Sequence, residues 1–350
     1  MRYGPEATHP LMILTLVALL AAGGAVGQPD QMDQLMFVSA RDGNPELYVV
    51  NAYGSGLRRL TRHPAEDAHP AWSPDGRLIA FVSDRDGDQD IYIMATDGSK
   101  PRNLTVGADY EDHPCWAPDS RHLAFSTDRD GNSEIYVRSV DGDRVWNVTR
   151  SPSWDGLPQW SPAGDRIAFV TDRGENQEIL VCTIEGGGPV NATNHAAWDG
   201  DPVFSPDGKQ LALRTHRDGN IGVYTYELGT GKLTNASQNA VWNEAAAWSP
   251  DGMRLAYASS PARSREIIVA DLVAGSRTNV TNSQANDWAP RWSPDGASIA
   301  FISDRDGEPR LYVMKSDGSG VRQVGGGPIS GVDHCWRPRP VPVKKPAQTP

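Results

Sequence analysis

The chain has 350 residues and a formal net charge of −11 at neutral pH. This acidic balance argues against a nucleic-acid partner, because binding to phosphate backbones requires clustered Lys and Arg. The three cysteines, Cys115, Cys182 and Cys335, are odd in number and lack metal-binding spacing. We therefore expect buried small side chains and no disulfide framework.

The N-terminal segment has the features of an export signal. An apolar run covers residues 11–22, Arg2 precedes it, and the small residues Ala25-Val26-Gly27 follow it. The run is shorter than the roughly 20 apolar residues of a membrane span, so we predict a signal peptide over 1–27 and a linker over 28–34. An uncleaved N-terminal anchor is the alternative. Export predicts a periplasmic or secreted protein with no membrane span after cleavage.

The rest of the chain is organised around one short motif that recurs at a constant interval. Its first copy is Trp72-Ser73-Pro74-Asp75-Gly76, and successive copies begin 44 residues apart, at 72, 116, 160, 204, 248, 292 and 336. Phe204 replaces the Trp in one copy, and the copy at 336 is incomplete. Internal periods of about 40–45 residues indicate a propeller or another repeat array.

Each repeat contains four short apolar segments separated by turn signals. In the first complete repeat, one segment ends at Trp72, and segments at 78–82, 91–94 and 102–105 follow it. Short β-branched and aromatic runs bounded by Pro, Gly and Asp predict strands joined by tight turns. Four antiparallel strands form one propeller blade.

The order of the segments predicts how the ring closes. The repeats open with a second-type strand at 35–38 and end on a first-type strand at 334–336. Pairing these two strands would hide the edges of an open array. We therefore predict an all-β fold over 35–340: a seven-bladed β-propeller of four-stranded antiparallel blades, closed by pairing of the N- and C-terminal strands, with the repeat Trp side chains between blades. A disordered Pro-rich tail is expected at 341–350.

These repeats resemble a known family. Trp-Ser-Pro-Asp-Gly, an Ile-Ala-Phe-type strand, Ser-Asp-Arg-Asp-Gly and Ile-Tyr-Val together resemble the TolB-like β-propeller repeat, with a clear copy over 292–313. The resemblance covers roughly 35–340 and implies a propeller fold. Proteins with such repeats include TolB, a partner in the Tol–Pal envelope system, the gating halves of prolyl-oligopeptidase-type peptidases, and oligogalacturonate lyases. A fold shared this widely does not determine function.

The turn after the second strand of each repeat has two interpretations. Asp128-Arg129-Asp130-Gly131-Asn132 alternates oxygen ligands like the first half of a calcium-binding EF-hand loop, but the second half is missing. The alternative is structural, with carboxylates that cap the turn and pair with the turn Arg. Recurrence in most blades favours the structural role. The copy at 259–264 lacks carboxylates, so its blade is expected to differ locally.

An acidic residue stands five positions ahead of most repeat aromatics. If the first strand is innermost, these residues surround one mouth of the channel and focus a negative potential there. The alternative is that each orders the loop before its strand. The predicted channel-mouth binding residues are five of these acids, Asp67, Glu111, Asp155, Asp199 and Asp287, together with Asp201, which stands three positions ahead of Phe204.

The position three ahead of the repeat aromatic varies between repeats. It holds His69, His113 and Asp333 in blades that would be adjacent, and His334 follows directly. Converging His and Asp side chains could hold Zn²⁺ or Mn²⁺. We name His69, His113, Asp333 and His334 as candidate ligands of a divalent metal; the alternative is that they are solvated loop residues. No other cofactor is expected.

Sequence signatures of common catalytic sites are absent: the chain has no Gly-x-Ser-x-Gly, no His-Glu-x-x-His and no P-loop motif. The sequence therefore predicts an exported, monomeric, non-catalytic propeller that acts as a protein-interaction scaffold in the cell envelope. The alternatives are a metal-assisted polysaccharide lyase of the oligogalacturonate type and a gating propeller for a separate hydrolase.

Overall fold

The computed structural model describes residues 33–339 except 108, 240 and 261–263. The predicted signal peptide at 1–27 and the tail at 341–350 lie outside the described residues. Within that range the regular elements are 28 β-strands, and it contains no helix that is long and apolar enough to cross a membrane.

The strands form seven four-stranded antiparallel sheets, numbered here as blades 1 to 7 in chain order. Blades 1 to 3 contain β1 (Gln34–Ser39), β2 (Glu46–Asn51) and β3 (Arg58–Arg59); β4 (Asp67–Trp72), β5 (Leu78–Ser83), β6 (Asp90–Ala95) and β7 (Arg102–Asn103); β8 (Glu111–Trp116), β9 (His122–Thr127), β10 (Glu134–Ser139) and β11 (Val145–Asn147). Blades 4 and 5 contain β12 (Asp155–Trp160), β13 (Arg166–Thr171), β14 (Glu178–Thr183) and β15 (Val190–Asn191); β16 (Asp199–Phe204), β17 (Gln210–Thr215), β18 (Gly222–Glu227) and β19 (Leu233–Asn235). Blades 6 and 7 contain β20 (Trp242–Trp248), β21 (Arg254–Ser260), β22 (Glu266–Asp271) and β23 (Arg277–Asn279); β24 (Asp287–Trp292), β25 (Ser298–Ser303), β26 (Arg310–Lys315) and β27 (Arg322–Pro328). The last strand, β28 (His334–Trp336), joins blade 1. The prediction of a seven-bladed all-β propeller is confirmed.

The two ends of the described chain meet in blade 1. β28 pairs antiparallel with β1, and Met36 lies opposite Cys335. The strands that end on the repeat aromatic (β4, β8, β12, β16, β20, β24 and β28) also contact one another in sequence around the ring, including β24 with β28 and β28 with β4. We call them the inner strands, because together they surround the central channel. The side of the ring where each inner strand begins is the entry face.

The repeat aromatics pack between neighbouring blades. The buried apolar side chains form seven clusters, each shared by two adjacent blades. Trp72, for example, packs against Leu47 of blade 1 and Phe81 of its own blade. The indole Nε1 of Trp160 donates to the Cys115 carbonyl in blade 3 at 3.1 Å. These contacts join one sheet to the next by both apolar burial and a hydrogen bond.

Two of these tryptophans form a matched pair for measuring that hydrogen bond. Nε1 of Trp292 is buried without a protein partner among the described residues, whereas Nε1 of Trp160 is bonded. Both changes to Phe remove a similar volume, and Phe204 shows that the site accepts this ring. We expect Trp160→Phe to lower the free energy of unfolding by about 1 kcal/mol more than Trp292→Phe. Equal losses in chemical denaturation would contradict this role of the indole N–H.

Candidate functional site

The Ser-Asp-Arg-Asp-Gly turn holds in place the loop that precedes the inner strand of its own blade, which we call the entry loop. In blade 2, Nη2 of Arg85 bonds both carboxylate oxygens of Asp67, at 2.8 and 3.1 Å, and its guanidinium lies 4.6 Å from the Tyr92 ring centre. Asp86 accepts a hydrogen bond from the Tyr92 hydroxyl, and Asp84 accepts one from the backbone N–H of the loop before β4 at 2.8 Å. Protein donors thus bind both carboxylates of the turn, Asp84 and Asp86, as well as Asp67. This agrees with the structural interpretation of the turn rather than with calcium binding.

Five of the six predicted channel-mouth residues are buried partners of turn arginines. Their carboxylates are fully inaccessible. The pairs are Asp67 with Arg85, Glu111 with Arg129, Asp155 with Arg173, Asp199 with Arg217 and Asp287 with Arg305. The expectation that these five acids line the mouth is corrected, because each is enclosed behind its own entry loop and neutralised. The sixth, Asp201, is half-buried and pairs with Arg214.

Blade 6 replaces this ion pair with neutral amides, as the altered turn in its sequence led us to expect. The buried Asn243 takes the acidic position. Its Nδ2 donates to Asn239 Oδ1 at 2.7 Å and to the Ile221 carbonyl at 3.1 Å. Asn239 in turn donates to Ser259 Oγ at 3.3 Å. The same loop can therefore be held without charge.

A repeated β-bulge interrupts six of the inner strands, and in blades 2, 3 and 4 its first residue lines the channel. In β4, His69 and Pro70 together oppose the single residue Phe81 of β5. The same shift occurs in the inner strands of blades 3 to 7. The first bulged residue has a φ of 47° to 55° in His69, His113, Leu157, Asp201, Ala245 and Ala289. Such values are uncommon outside glycine and mark a built-in distortion. The bulge takes this residue out of the regular alternation of the strand.

A channel cavity of about 470 Å³ lies where the inner strands of blades 1, 2, 3, 4 and 7 meet. Its lining includes His69, His113, Asp333, Leu157 and Arg291. Three of the four predicted metal ligands are therefore brought to one cavity wall.

These three residues form a cluster with an acid that the sequence reasoning missed. Nε2 of His69 lies 3.8 Å from Asp112 Oδ1, and Nδ1 of His113 lies 3.2 Å from Asp112 Oδ2. Nδ1 of His69 lies 3.6 Å from Asp333 Oδ2. We call His69, Asp112, His113 and Asp333 the histidine cluster. Asp112 occupies a position that is Ala68 or Gly in neighbouring repeats, and that departure was the available signal.

His334 does not belong to this cluster, which corrects its prediction as a ligand. Its Nδ1 lies 3.1 Å from the Val332 carbonyl, and the side chain is buried against the sheet. Burial, reinforced by the guanidinium of Arg291, lowers the pKa of His334 to about 3. Asp333, just before β28, lines the channel cavity, whereas His334 is not among the lining residues.

A row of aromatic side chains at the entry face was also missed. Four consecutive blades place an aromatic residue directly before, or at the start of, the inner strand: Tyr110, Trp154, Trp198 and Trp242. We call these four residues the aromatic arc. Tyr110 is 48% exposed and Trp242 is 53% exposed. Their sequence signal was an aromatic six positions ahead of the repeat aromatic in four repeats in a row.

Two glycines leave space for the two central rings of the aromatic arc. A Cβ on Gly200 would stand 2.6 Å from the ring of Trp198, and Gly156 has the same relation to Trp154. The ring of Trp198 is also covered by Arg214 at 5.2 Å, and Arg214 pairs with Asp201. The arc is therefore held in place by neighbouring side chains at the channel mouth.

Comparison with known proteins identifies the family. The sequence model of the TolB beta propeller domain matches residues 27–114, 111–221 and 200–339. The chain belongs to the TolB β-propeller family. This confirms the resemblance drawn from the repeat motifs.

Solved structures similar to this TolB-family propeller show the same fold in proteins with different names. TolB from Acinetobacter baumannii is 17% identical, with 88% of this chain and 83% of that chain covered and a TM-score of 0.59. An oligogalacturonate lyase in complex with manganese is 17% identical, with 80% and 85% covered and a TM-score of 0.67. A puromycin-hydrolyzing peptidase from Mycobacterium tuberculosis is 15% identical, with 85% of this chain but 54% of that chain covered and a TM-score of 0.69. At these identities the likeness concerns the fold alone.

Proposed function

We propose that this TolB-family propeller is an exported, non-catalytic scaffold that holds a segment of a partner protein against the aromatic arc. The observation that carries the proposal is the arc itself. Tyr and Trp are enriched in protein interfaces, where they supply rigid contact area. The rest of the repeat is stabilised by aromatic residues that are buried between blades, so Tyr110 and Trp242 stand out as exposed rings at one mouth.

The charges near the arc favour a partner that binds through rings and hydrogen bonds. Glu244 pairs with Arg265 at 2.8 Å, as Asp201 pairs with Arg214. Each of these two acids therefore carries its own arginine, so neither offers an unpaired charge to a cationic ligand. Binding dominated by aromatic contact depends weakly on salt, whereas exposed charge pairs are screened.

The test begins with recovery of the partner and ends with a measured affinity. Tagged mature protein is used to capture partners from an envelope extract, and each protein identified by mass spectrometry is titrated calorimetrically. We expect Trp198→Ala to weaken binding by roughly 30-fold, the size of a typical hot-spot loss. Gly200→Ala should weaken binding too, because the added Cβ displaces the Trp198 ring without removing it.

The matched control is Tyr53→Ala. Tyr53 is 77% exposed, lies beneath Arg322 at 5.0 Å, and belongs to the β2–β3 turn on the opposite side of the ring. Its loss should leave affinity unchanged. Equal binding by the wild type and Trp198→Ala would refute the proposal, as would turnover of an oligogalacturonate by the mature protein.

A further inference from the structure

We propose that the histidine cluster is a binding site for one divalent transition-metal ion, with His69, Asp112 and His113 as its protein ligands. One ligand atom from each of these residues lies within 4.8 Å of the others. Imidazole nitrogen with a carboxylate oxygen is a donor set that suits Zn²⁺ and its first-row neighbours. The site adjoins the aromatic arc, because the Tyr110 hydroxyl donates to Asp112 Oδ2 at 3.4 Å, and it adds a bound ion to the proposed binding function.

The distances are those of a nearly formed site. Metal bonds of about 2.1 Å in tetrahedral geometry place neighbouring ligand atoms roughly 3.4 Å apart. The observed separations are 3.2 Å from Asp112 Oδ2 to His113 Nδ1 and 3.8 Å from Asp112 Oδ1 to His69 Nε2. Small side-chain rotations would bring all three donors to one ion. The ring centres of His69 and His113 are already 5.2 Å apart.

The backbone places the two imidazoles side by side. His69 and His113 are the first bulged residues of β4 and β8, the inner strands of adjacent blades. Both have left-handed φ values, 47° and 55°. The equivalent positions in blades 4, 6 and 7 are Leu or Ala, which cannot bind a metal. Within the described ring, therefore, only blades 2 and 3 place two imidazoles side by side at the bulge.

Asp333 supplies the outer support that a metal-bound imidazole usually has. The two ring nitrogens of His69 face different carboxylates, with Nε2 toward Asp112 and Nδ1 toward Asp333 at 3.6 Å. A carboxylate on the far nitrogen fixes the tautomer and orientation of a histidine ligand. Asp333 is therefore a positioning residue, and Nε2 of His69 is the metal donor.

The cluster opens on the 470 Å³ channel cavity, so coordination positions not taken by the protein remain accessible to water or a ligand.

The test is metal binding by the mature full chain after removal of metal with a chelator. Zn²⁺ is titrated calorimetrically, Co²⁺ by its visible absorption, and bound metal is counted by mass spectrometry. We expect one ion per chain. His113→Asn and Asp112→Asn should each weaken Zn²⁺ binding at least about 100-fold, because a three-ligand site loses a ligand. Asp333→Asn should weaken it about 10- to 100-fold, as loss of an outer partner does.

His122→Asn is the matched control. His122, the first residue of β9, pairs with Asp119 of the preceding turn at 2.7 Å, and among the described residues it belongs to no group of three potential metal ligands. Its replacement should leave stoichiometry and affinity unchanged. Melting temperatures of the metal-free variants establish that each is folded. The inference is overturned if the wild type binds no stoichiometric ion, or if folded Asp112→Asn and His113→Asn bind Zn²⁺ as tightly as His122→Asn. Partner binding at the aromatic arc is measured separately, so failure of one proposal leaves the other testable.

Discussion

Replacing Arg85 with Ala is expected to lower the free energy of unfolding by about 3 kcal/mol or more. The change leaves the carboxylate of Asp67 fully buried without its cation, and breaking such a pair from one side costs about 3–5 kcal/mol. Arg85 also covers the rings of Phe81 and Tyr92, so packing is lost along with charge. Chemical denaturation measures the effect.

Two comparisons show whether the buried charge is responsible. Adding Asp67→Asn to Arg85→Ala should recover about 1–2 kcal/mol, since a neutral amide no longer needs a cation; Asn243 already serves this way in blade 6. Arg265→Ala removes an arginine from the half-exposed Glu244 and should cost less than about 1 kcal/mol. A double variant no more stable than Arg85→Ala would show that lost packing, rather than the stranded carboxylate, causes the destabilisation.

The second large effect is a loss of stability in acid that depends on His334. The pKa of His334 is lowered to about 3 in the folded protein, against about 6.5 in an unfolded chain. Between these values the unfolded chain binds a proton that the folded chain refuses, so stability falls as the pH falls. The slope is about 1.4 kcal/mol per pH unit. From pH 6 to pH 4.5 this single residue should remove about 2 kcal/mol.

The control is His334→Ala, for which Ala246 is the precedent at the equivalent position of blade 6. Carboxylates titrate in both proteins, so their contributions cancel in the difference between the two pH profiles. We expect the wild type to lose stability relative to His334→Ala over this range. Parallel profiles would show that His334 accepts its proton in the folded state.

The fold could be predicted because its information is local and repeated seven times. The motif at Trp72 and its copies specify a turn, a strand and an aromatic side chain that packs between blades. A segment that is ambiguous in one repeat can be assigned from the same segment in the other repeats. The out-of-phase order of strands around 35–38 and 334–336 was enough to predict the pairing seen between β1 and β28. Repetition therefore determined the blade number and the topology.

The chemistry of the mouth could be predicted only in part, because it depends on where a side chain points. Position five ahead of the aromatic looked like a rim residue, but Asp67 and its equivalents turn inward to the turn arginines. The bulge at His69 changes the alternation of the strand, and its available signal was Pro70, because proline inside a sheet is largely confined to edges and bulges. Asp112 joins the cluster for the same reason, since regular alternation would have placed it away from His113. Departures from the repeat, rather than the repeat itself, were the useful signals.

The aromatic arc, too, could be recognised only by comparing repeats that lie next to each other in the ring. Trp154 and Trp198 could be read as further core residues until Gly156 and Gly200 are seen to make room for their rings. Four aromatics in adjacent blades become one surface only when the repeats are placed side by side.

Site-specific photo-crosslinking tests the central claim, that the entry face binds the partner, most directly. A photoreactive phenylalanine is introduced at Trp242, or at Tyr53 on the opposite side, and cells producing either protein are irradiated. We expect a crosslinked partner with the probe at Trp242 and none with the probe at Tyr53. The same crosslink from both positions, or one from Tyr53 alone, would contradict the assignment of binding to the aromatic arc.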